Sequence, residues 1–536
     1  MIMKRLSFAF LLLAVFLPLK AVGGQTPSAS SVVASLPAAG SHEADPTGAS
    51  TGGFSDVTAA VPGQVSLLDL ANQSGKNKIS LNMMWMLLTG FMVMFMSAGF
   101  ALVETGFTRA KNACHTMSMN LLVYPVAVIA FYFVGFGIMF GGSGPLATLG
   151  GYAGLNHEAG VTLFGKTFGL FGRHGFGLGG SYDVGLFTLF LFQLVFMDAA
   201  VTIPTGAMAE RWKFASFFVY GWFVAAFVYP LYGNWVWGGG WLSALGTNFH
   251  LGHGHVDFAG SSVVHMTGGV MALVGAWLLG PRVGKYDEAG NPNVIPGHNI
   301  PMAVLGTFVL AFGWFGFNPG STLAGGDLRI AIVAVNTLLA SASGAVAATL
   351  WMWLVRSNKP DPGMMCNGML AGLVAITAPC AYVGPGSALL IGLVAGLLVV
   401  EAAFFVERKL RVDDPVGAIA VHGVNGAWGC VALGLFADGT YGDGLNGVAG
   451  TVKGLFYGDG GQLAAQAIGV AVDFLFVGLA SLVLFKLLDL TIGNRVDRET
   501  EIKGLDVPEM GIEAYPGFDT WLTEFGLVNQ GEGKES

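Results

Sequence analysis

The chain has 536 residues, of which 53% are hydrophobic and 11% charged, with a mean hydropathy of +0.64. Soluble domains carry roughly 25% charged residues, so this composition describes a polytopic membrane protein. The net charge of -8 comes with no Lys/Arg-rich block, which argues against nucleic acid as a partner, and the four cysteines show no C-x-x-C spacing that would suggest a disulfide framework or a zinc site.

In chain order, "MIMKRLSFAFLLLAVFLPLKAVGG" has a basic start at Lys4 and Arg5, an apolar stretch too short to span a bilayer, and small residues near Gly23. Residues 1–24 are expected to be a cleaved secretory signal. Residues 25–78, rich in Ser, Ala, Gly, Thr and Pro, are expected to be a flexible exported linker. Residues 79–493 then contain eleven apolar segments, at 81–104, 115–140, 184–207, 214–245, 258–280, 299–318, 328–355, 365–382, 386–406, 415–436 and 463–491. Each could cross a hydrocarbon core of about 30 Å at 1.5 Å per helical residue. Residues 494–536 form a polar tail.

The loops orient these spans. Those after helices 1, 3, 5, 7 and 9 hold Arg109 and Lys111, Arg211 and Lys213, Arg282 and Lys285, Arg356 and Lys359, and Arg408, Lys409 and Arg411. Loops after the even helices hold only a sparse set. The positive-inside rule therefore places the odd loops and the C-terminal tail in the cytoplasm and the N-terminus outside. The expected location is a bacterial-type inner (plasma) membrane.

Two stretches repeat an awkward pairing. "DFAGSSVVHM" carries Asp257 and His265, and "DPVGAIAVHG" carries Asp414 and His422, each pair eight positions apart in a run otherwise suited to lipid. Under the topology above, helix 5 starts at the outer face and helix 10 at the inner face. Eight helical residues advance about 12 Å, so His265 and His422 reach similar depth from opposite sides. Helices 1–5 and 6–10 then read as inverted repeats, an arrangement that places a transport site at the repeat interface. The plainer reading of each histidine is an interhelical hydrogen bond. The plainer reading of each Asp is a helix N-cap, preferred for Asp414 because Pro415 follows it. Asp257 could also stabilise a cation.

Beyond these pairs, "DFAGSSVVHMTGGVMALVGAWLLGPR" (257–282), "GFALVETGFTRAKN" (99–112), "FQLVFMDAAVTIPTGAMAER" (192–211), "WGGGWL" (237–242), "GWFGFNPGS" (313–321) and "DDPVGAIAVHGVNGAWG" (413–429) occur in an order that resembles the Amt branch of the ammonium transporter, methylammonium permease and Rhesus superfamily. The resemblance covers about 80 to 515; the exported linker and the loop from about 143 to 183 lie outside it.

The resemblance implies an all-α ammonium-transporter fold and transport of ammonium or ammonia, with no enzyme activity and no cofactor. By motif position it implies an outer cation site of Trp237 and Ser321 beside Phe196, with Asp257 serving the electrostatics and architecture of that site. It implies a gate of Phe196 and Phe317 and an apolar pore lined by His265, His422 and Trp314. The chemistry suits the ion: aromatic faces attract a cation losing water, and a hydroxyl accepts one of its protons. Neutral ammonia crosses an apolar lumen far more cheaply than ammonium, so deprotonation before passage is expected, and two imidazoles in contact can share a proton. The alternatives are an ammonium sensor on the same fold with little flux and a Rhesus-like neutral gas channel, the latter disfavoured by Trp237 and Ser321.

Two pore positions depart from the pattern: Ala199 and Ala418 stand where bulkier aliphatic residues are common. His250, His253 and His255 in "NFHLGHGHVDF" suggest metal binding only weakly and are expected to be solvated loop residues, leaving no metal site. "GLDVPEMGIEAYPGF" (504–518) resembles the cytoplasmic region that links subunits of a homotrimer and can meet a PII-type signalling protein.

Overall fold

A computed structural model describes Asp45, Thr51, Gly52 and residues 65–516. The expected signal at 1–24 lies outside the described residues. Backbone amides in a bilayer core have no water to bond, so an apolar chain must satisfy them within helices. Among the described residues the longer helices are α1 Val65–Phe107, α2 Ala110–Phe140, α3 Val184–Met208, α4 Phe214–Val236, α5 Ser261–Leu279, α6 Ile300–Thr322, α7 Ile330–Arg356, α8 Pro362–Thr377, α9 Pro385–Leu410, α10 Ile419–Phe436 and α11 Gly460–Thr491. Among the described residues, ten are long and apolar enough to cross a membrane, and α8, with 16 residues, is shorter. Leu121, Trp277 and Leu475 expose more than half their surface on the helix exteriors, where lipid would cover them. The protein is a multi-pass membrane protein.

Several boundaries differ from expectation. The helix begins at Val65, within the segment expected to be linker, because "VSLLDLANQSGKNKIS" contains no Pro or Gly pair that would stop a helix already favoured downstream. Asp45 and Thr51, also in that segment, are buried, with the Asp45 amide 3.2 Å from the Asp183 carboxylate. Helix α4 ends at Val236 rather than 245, at the "GGG" of residues 238–240, where Gly239 takes φ +87°.

The two halves share a packing scheme. Helix α1 packs on α3 as α6 packs on α8; α2 packs on α4 as α7 packs on α9; α3 packs on α5 as α8 packs on α10. Across the halves, α1 lies against α6 and α5 against α10, while α11 flanks α5 and α10. This scheme is compatible with the inverted-repeat reading. The α5–α10 approach requires glycine: a Cβ on Gly269 would collide with the backbone of Gly423.

Helices α1 and α3 run in parallel register, marked by two polar layers within them and a third just past their ends, the partners each 101 residues apart. Ser97 donates to Asp198, Thr205 donates to Glu104 at 2.7 Å, and Arg109 pairs with Glu210. At the end bearing the expected cytoplasmic loops, Arg282 grips Asp413 through Nε at 2.8 Å and Nη2 at 3.0 Å and reaches Glu210 through Nη1 at 2.9 Å. Burial alone would raise the Asp413 carboxyl, but the Arg211 and Arg282 charges outweigh it and hold that group well below the usual carboxylate range. The tail docks at the same end: Asp506 accepts from the amides of Cys114 and His115 at the start of α2, and Lys111 reaches the carbonyl of Glu501 at 2.7 Å.

Candidate functional site

Each Asp–His motif builds the same local device. Asp257 Oδ1 accepts from the amides of Gly260 and Ser261, and Oδ2 from those of Ser262 and Val263 and from the Ser262 hydroxyl. Asp414 likewise accepts from Val416, Gly417 and Ile419. Three residues after each Asp stands a glycine in the left-handed region, Gly260 at φ +119° and Gly417 at φ +82°, which lets the backbone fold over the carboxylate. A wide π-turn follows, Ser261–Met266 or Ile419–Val424, and each carries its histidine near its end.

The two devices bring His265 and His422 together. Their Nδ1 atoms lie 3.2 Å apart, with ring centroids separated by 5.3 Å. Only one Nδ1 can carry the shared proton while the other offers its lone pair, so the pair is a directional link between two imidazoles. Both rings are buried, and His265 Nε2 has no hydrogen-bond partner among the described residues.

An aromatic column leads to this pair. Trp237 meets Phe196 edge-on at 6.1 Å; Phe196 stacks on Phe317 at 4.1 Å; Phe317 lies 5.3 Å from His265. Trp314 stacks on His265 at 4.9 Å, held by its indole N–H donating to Thr377 at 2.9 Å. On the far side of the pair, Phe100 lies 6.0 Å from His422. The column changes character along its length: Trp237 and Ser321 are half-buried, whereas Phe196, Phe317 and Trp314 are buried. The Ser321 hydroxyl donates to the Phe317 carbonyl at 2.8 Å, which leaves its lone pairs free to accept. The Trp237 indole N–H donates to the Asp257 carbonyl at 2.7 Å, fixing that ring.

Asp257 takes the N-cap reading, both carboxylate oxygens accepting from the start of α5 while its carbonyl holds the Trp237 indole, an architectural role. One expectation changes. His253 and His255 are buried rather than solvated: His253 Nε2 lies 2.9 Å from the Gly450 carbonyl and His255 Nε2 2.9 Å from the Ser262 hydroxyl. Burial draws the His255 imidazole down to about 4, so it is neutral at physiological pH. Among the described residues no group of three His, Cys, Asp or Glu side chains converges as a metal site.

Sequence reading missed Phe100, Thr377, Gly260 and Gly417, together with three buried carboxyls: Glu104, Asp198 and Asp473. The carboxyls carried a usable signal, since each interrupts an apolar run. Thr377 carried none, because its value lies wholly in its contact with Trp314. Ala199 and Ala418 are both buried.

The whole domain has relatives. Residues 84–515 match the model of the Ammonium Transporter Family. The chain is 47% identical over 460 residues to ammonium transporter Amt2 of Archaeoglobus fulgidus, covering 85% of this chain and 93% of that protein. It is 34% identical to ammonium transporter 1 member 3 of Solanum lycopersicum, covering 81% and 93%. Among solved structures it is similar to a protein described as a sensor Amt protein, with 37% identity, a TM-score of 0.70 and coverage of 81% and 98%. It is also similar to Mep2 of Candida albicans, with 25% identity, a TM-score of 0.66 and coverage of 85% and 91%. With more than two thirds of its length matched, in the motif order read from the sequence, this chain belongs to the ammonium transporter family.

Proposed function

We propose that the protein is an ammonium transporter that recruits the ion at Trp237 and Ser321, passes it by the Phe196–Phe317 gate, and conducts ammonia along His265 and His422. The observation that carries this reading is the unbroken ring column from half-buried Trp237 to the buried histidine pair. Ammonium is drawn to an aromatic face and a hydroxyl acceptor, where it can shed water in stages. The stacked phenyl rings close the way at rest and must part for passage. Beyond them the apolar surroundings disfavour the charged form, so the proton leaves the nitrogen before the imidazoles. The His265–His422 link can hold or relay that proton.

The transporter is read as a homotrimer in a plasma membrane, its N-terminus outside and its tail in the cytoplasm, where a PII-type protein is the candidate partner. The basic residues Arg109, Arg282 and Lys285 gathered at that end, paired with Glu210 and Glu407, support this placement. A second reading, an ammonium sensor with little flux, is favoured by similarity to a structure so described. Simultaneous current and uptake measurements in proteoliposomes under an ammonium gradient separate these readings. Uptake with current indicates coupled charge movement, uptake without current indicates neutral passage, and binding without flux overturns transport in favour of sensing.

A further inference from the structure

The loop from about 143 to 183, which the motif resemblance left out, folds into a hairpin with β1 Glu158–Leu163 and β2 Lys166–Gly172. Its two-residue tip, Phe164 and Gly165, has φ +53° and +73°, the sense that suits a tight hairpin. This hairpin is docked on the segment that carries Trp237. The Gly169 carbonyl accepts from the Trp241 amide at 3.0 Å, the Leu170 carbonyl from the Trp235 indole at 2.9 Å, and the Thr167 carbonyl from Asn248 at 3.0 Å.

At its base, Glu158 Oε2 accepts from Asn234 Nδ2 at 3.2 Å, and the same Asn234 amide donates to the Met139 carbonyl at 3.1 Å. The Asn234 carbonyl accepts from the amides of Gly238 and Gly240, the turn immediately following Trp237. Glu158 Oε1 is buried without a hydrogen-bond partner. Asn234 is thus the pivot between the hairpin carboxyl and the backbone that aims the recruiting indole.

We propose that Glu158 is a positioning residue that makes ammonium recruitment sensitive to external pH, acting through Asn234 on the Trp237 turn. This rests on the reading of Trp237 as part of the recruitment site. An ionised Glu158 holds the Asn234 amide and places a negative charge behind the site; protonation weakens that hold and removes the charge. The charge that acts on it is Arg173, just beyond β2; His157, its neighbour in the chain, pairs with His174 with ring centroids 5.2 Å apart, and its hydrogen-bond partner on α4 is the neutral Asn234. Burial pushes the Glu158 carboxyl up, against the Asn234 bond and the Arg173 charge, to about 7, where external pH can switch it.

The test is ammonium uptake by the full chain in proteoliposomes, with KM and maximal rate measured between about pH 6 and about pH 8, where the substrate is almost wholly ammonium. The wild type is expected to show a KM that rises roughly threefold as pH falls, the scale of a solvent-screened carboxylate interaction, with little change in maximal rate. Glu158→Gln is expected to hold KM at the higher value across the range. Arg173→Gln, at an exposed position, is expected to keep the switch but move its midpoint to higher pH, because it removes a charge that favours ionised Glu158. A wild-type profile in both variants overturns the proposal. Trp237→Leu is the separate control: if it leaves KM unchanged at every pH, the recruitment reading itself fails, whatever the Glu158 variants do.

Discussion

His265 Nδ1 and His422 Nδ1 stand 3.2 Å apart although 157 residues separate them in the chain. Each arrives there on the same construction: an Asp clasping the first amides of its helix, a left-handed glycine three residues on, and a π-turn. Because both contacting atoms are Nδ1, the two rings cannot be equivalent at any instant. One donates and the other accepts, and reversing the link requires a proton to move.

That asymmetry makes asparagine a discriminating substitute. His265→Asn or His422→Asn retains hydrogen-bonding groups of similar size but cannot take up and release a proton near neutral pH. Either variant should remain folded while ammonium current falls by more than about tenfold, the lower range for a lost proton-transfer group, or while discrimination against potassium weakens. Currents carried by ammonium and by potassium in liposomes decide the matter; wild-type values in both variants would remove the proton-sharing role.

Substitutions at the outer site should act on affinity. If Trp237 recruits the ion as proposed, Trp237→Leu should remove a cation–π interaction of about 0.5–2 kcal/mol, corresponding to roughly a twofold to thirtyfold rise in KM. Ser321→Ala should raise KM less, since one hydroxyl acceptor is lost. Neither should much alter the maximal rate, because the histidine pair and the phenyl gate remain in place. Concentration-dependent uptake at fixed pH provides the measurement.

Asp257 should behave differently from both. Its carboxylate accepts four backbone amides and a serine hydroxyl, so Asp257→Ala strands the start of α5 and should cost at least ~2 kcal/mol of stability. A lowered thermal unfolding temperature in detergent is expected together with reduced uptake. A variant of native stability that merely binds ammonium more weakly would instead assign the carboxylate to the cation.

The buried Arg282–Asp413 pair supplies a pH dependence. Asp413 is ionised more readily in the folded protein than in the unfolded chain, so its stabilisation is fully present above the unfolded value of about 3.9 and is lost as pH falls towards the folded one. Asp413→Asn should cost about 3–5 kcal/mol at neutral pH, since it leaves the Arg282 charge buried with Glu210 as its remaining close acidic partner. Thermal unfolding of the wild type and variant should converge in acid; parallel curves down to low pH would exclude this contribution.

Truncation before Gly504 removes the Asp506 contact with the Cys114 and His115 amides of α2 and should alter transport or its response to a PII-type protein while leaving the proposed trimer intact. Sizing of the truncated protein and its flux, with and without PII, test this; unchanged flux and response would dismiss a regulatory role for the tail.

The membrane architecture was legible in the apolar runs, because a chain in lipid satisfies its backbone within helices and the run lengths report those helices directly. The sequence also singled out the Asp257–His265 and Asp414–His422 pairs, since Asp and His stand out where nearly every neighbour is apolar, whereas Trp237, Ser321, Phe196, Phe317 and Trp314 were legible only through the family resemblance. Local punctuation was only partly legible: "GGG" ended α4 early, and a helix grew backwards from Ile79 to Val65 through residues too polar to have been counted as a span. Tertiary structure alone decided which groups meet. It set Phe196 on Phe317, aimed Trp237 through the Asp257 carbonyl, and spent the Asp257 carboxylate on its own helix. It buried His253 and His255 and laid the hairpin over the turn behind Trp237. Periodicity records how a segment treats its surroundings, whereas these contacts join residues tens to hundreds apart, whose partners only the packed helices select.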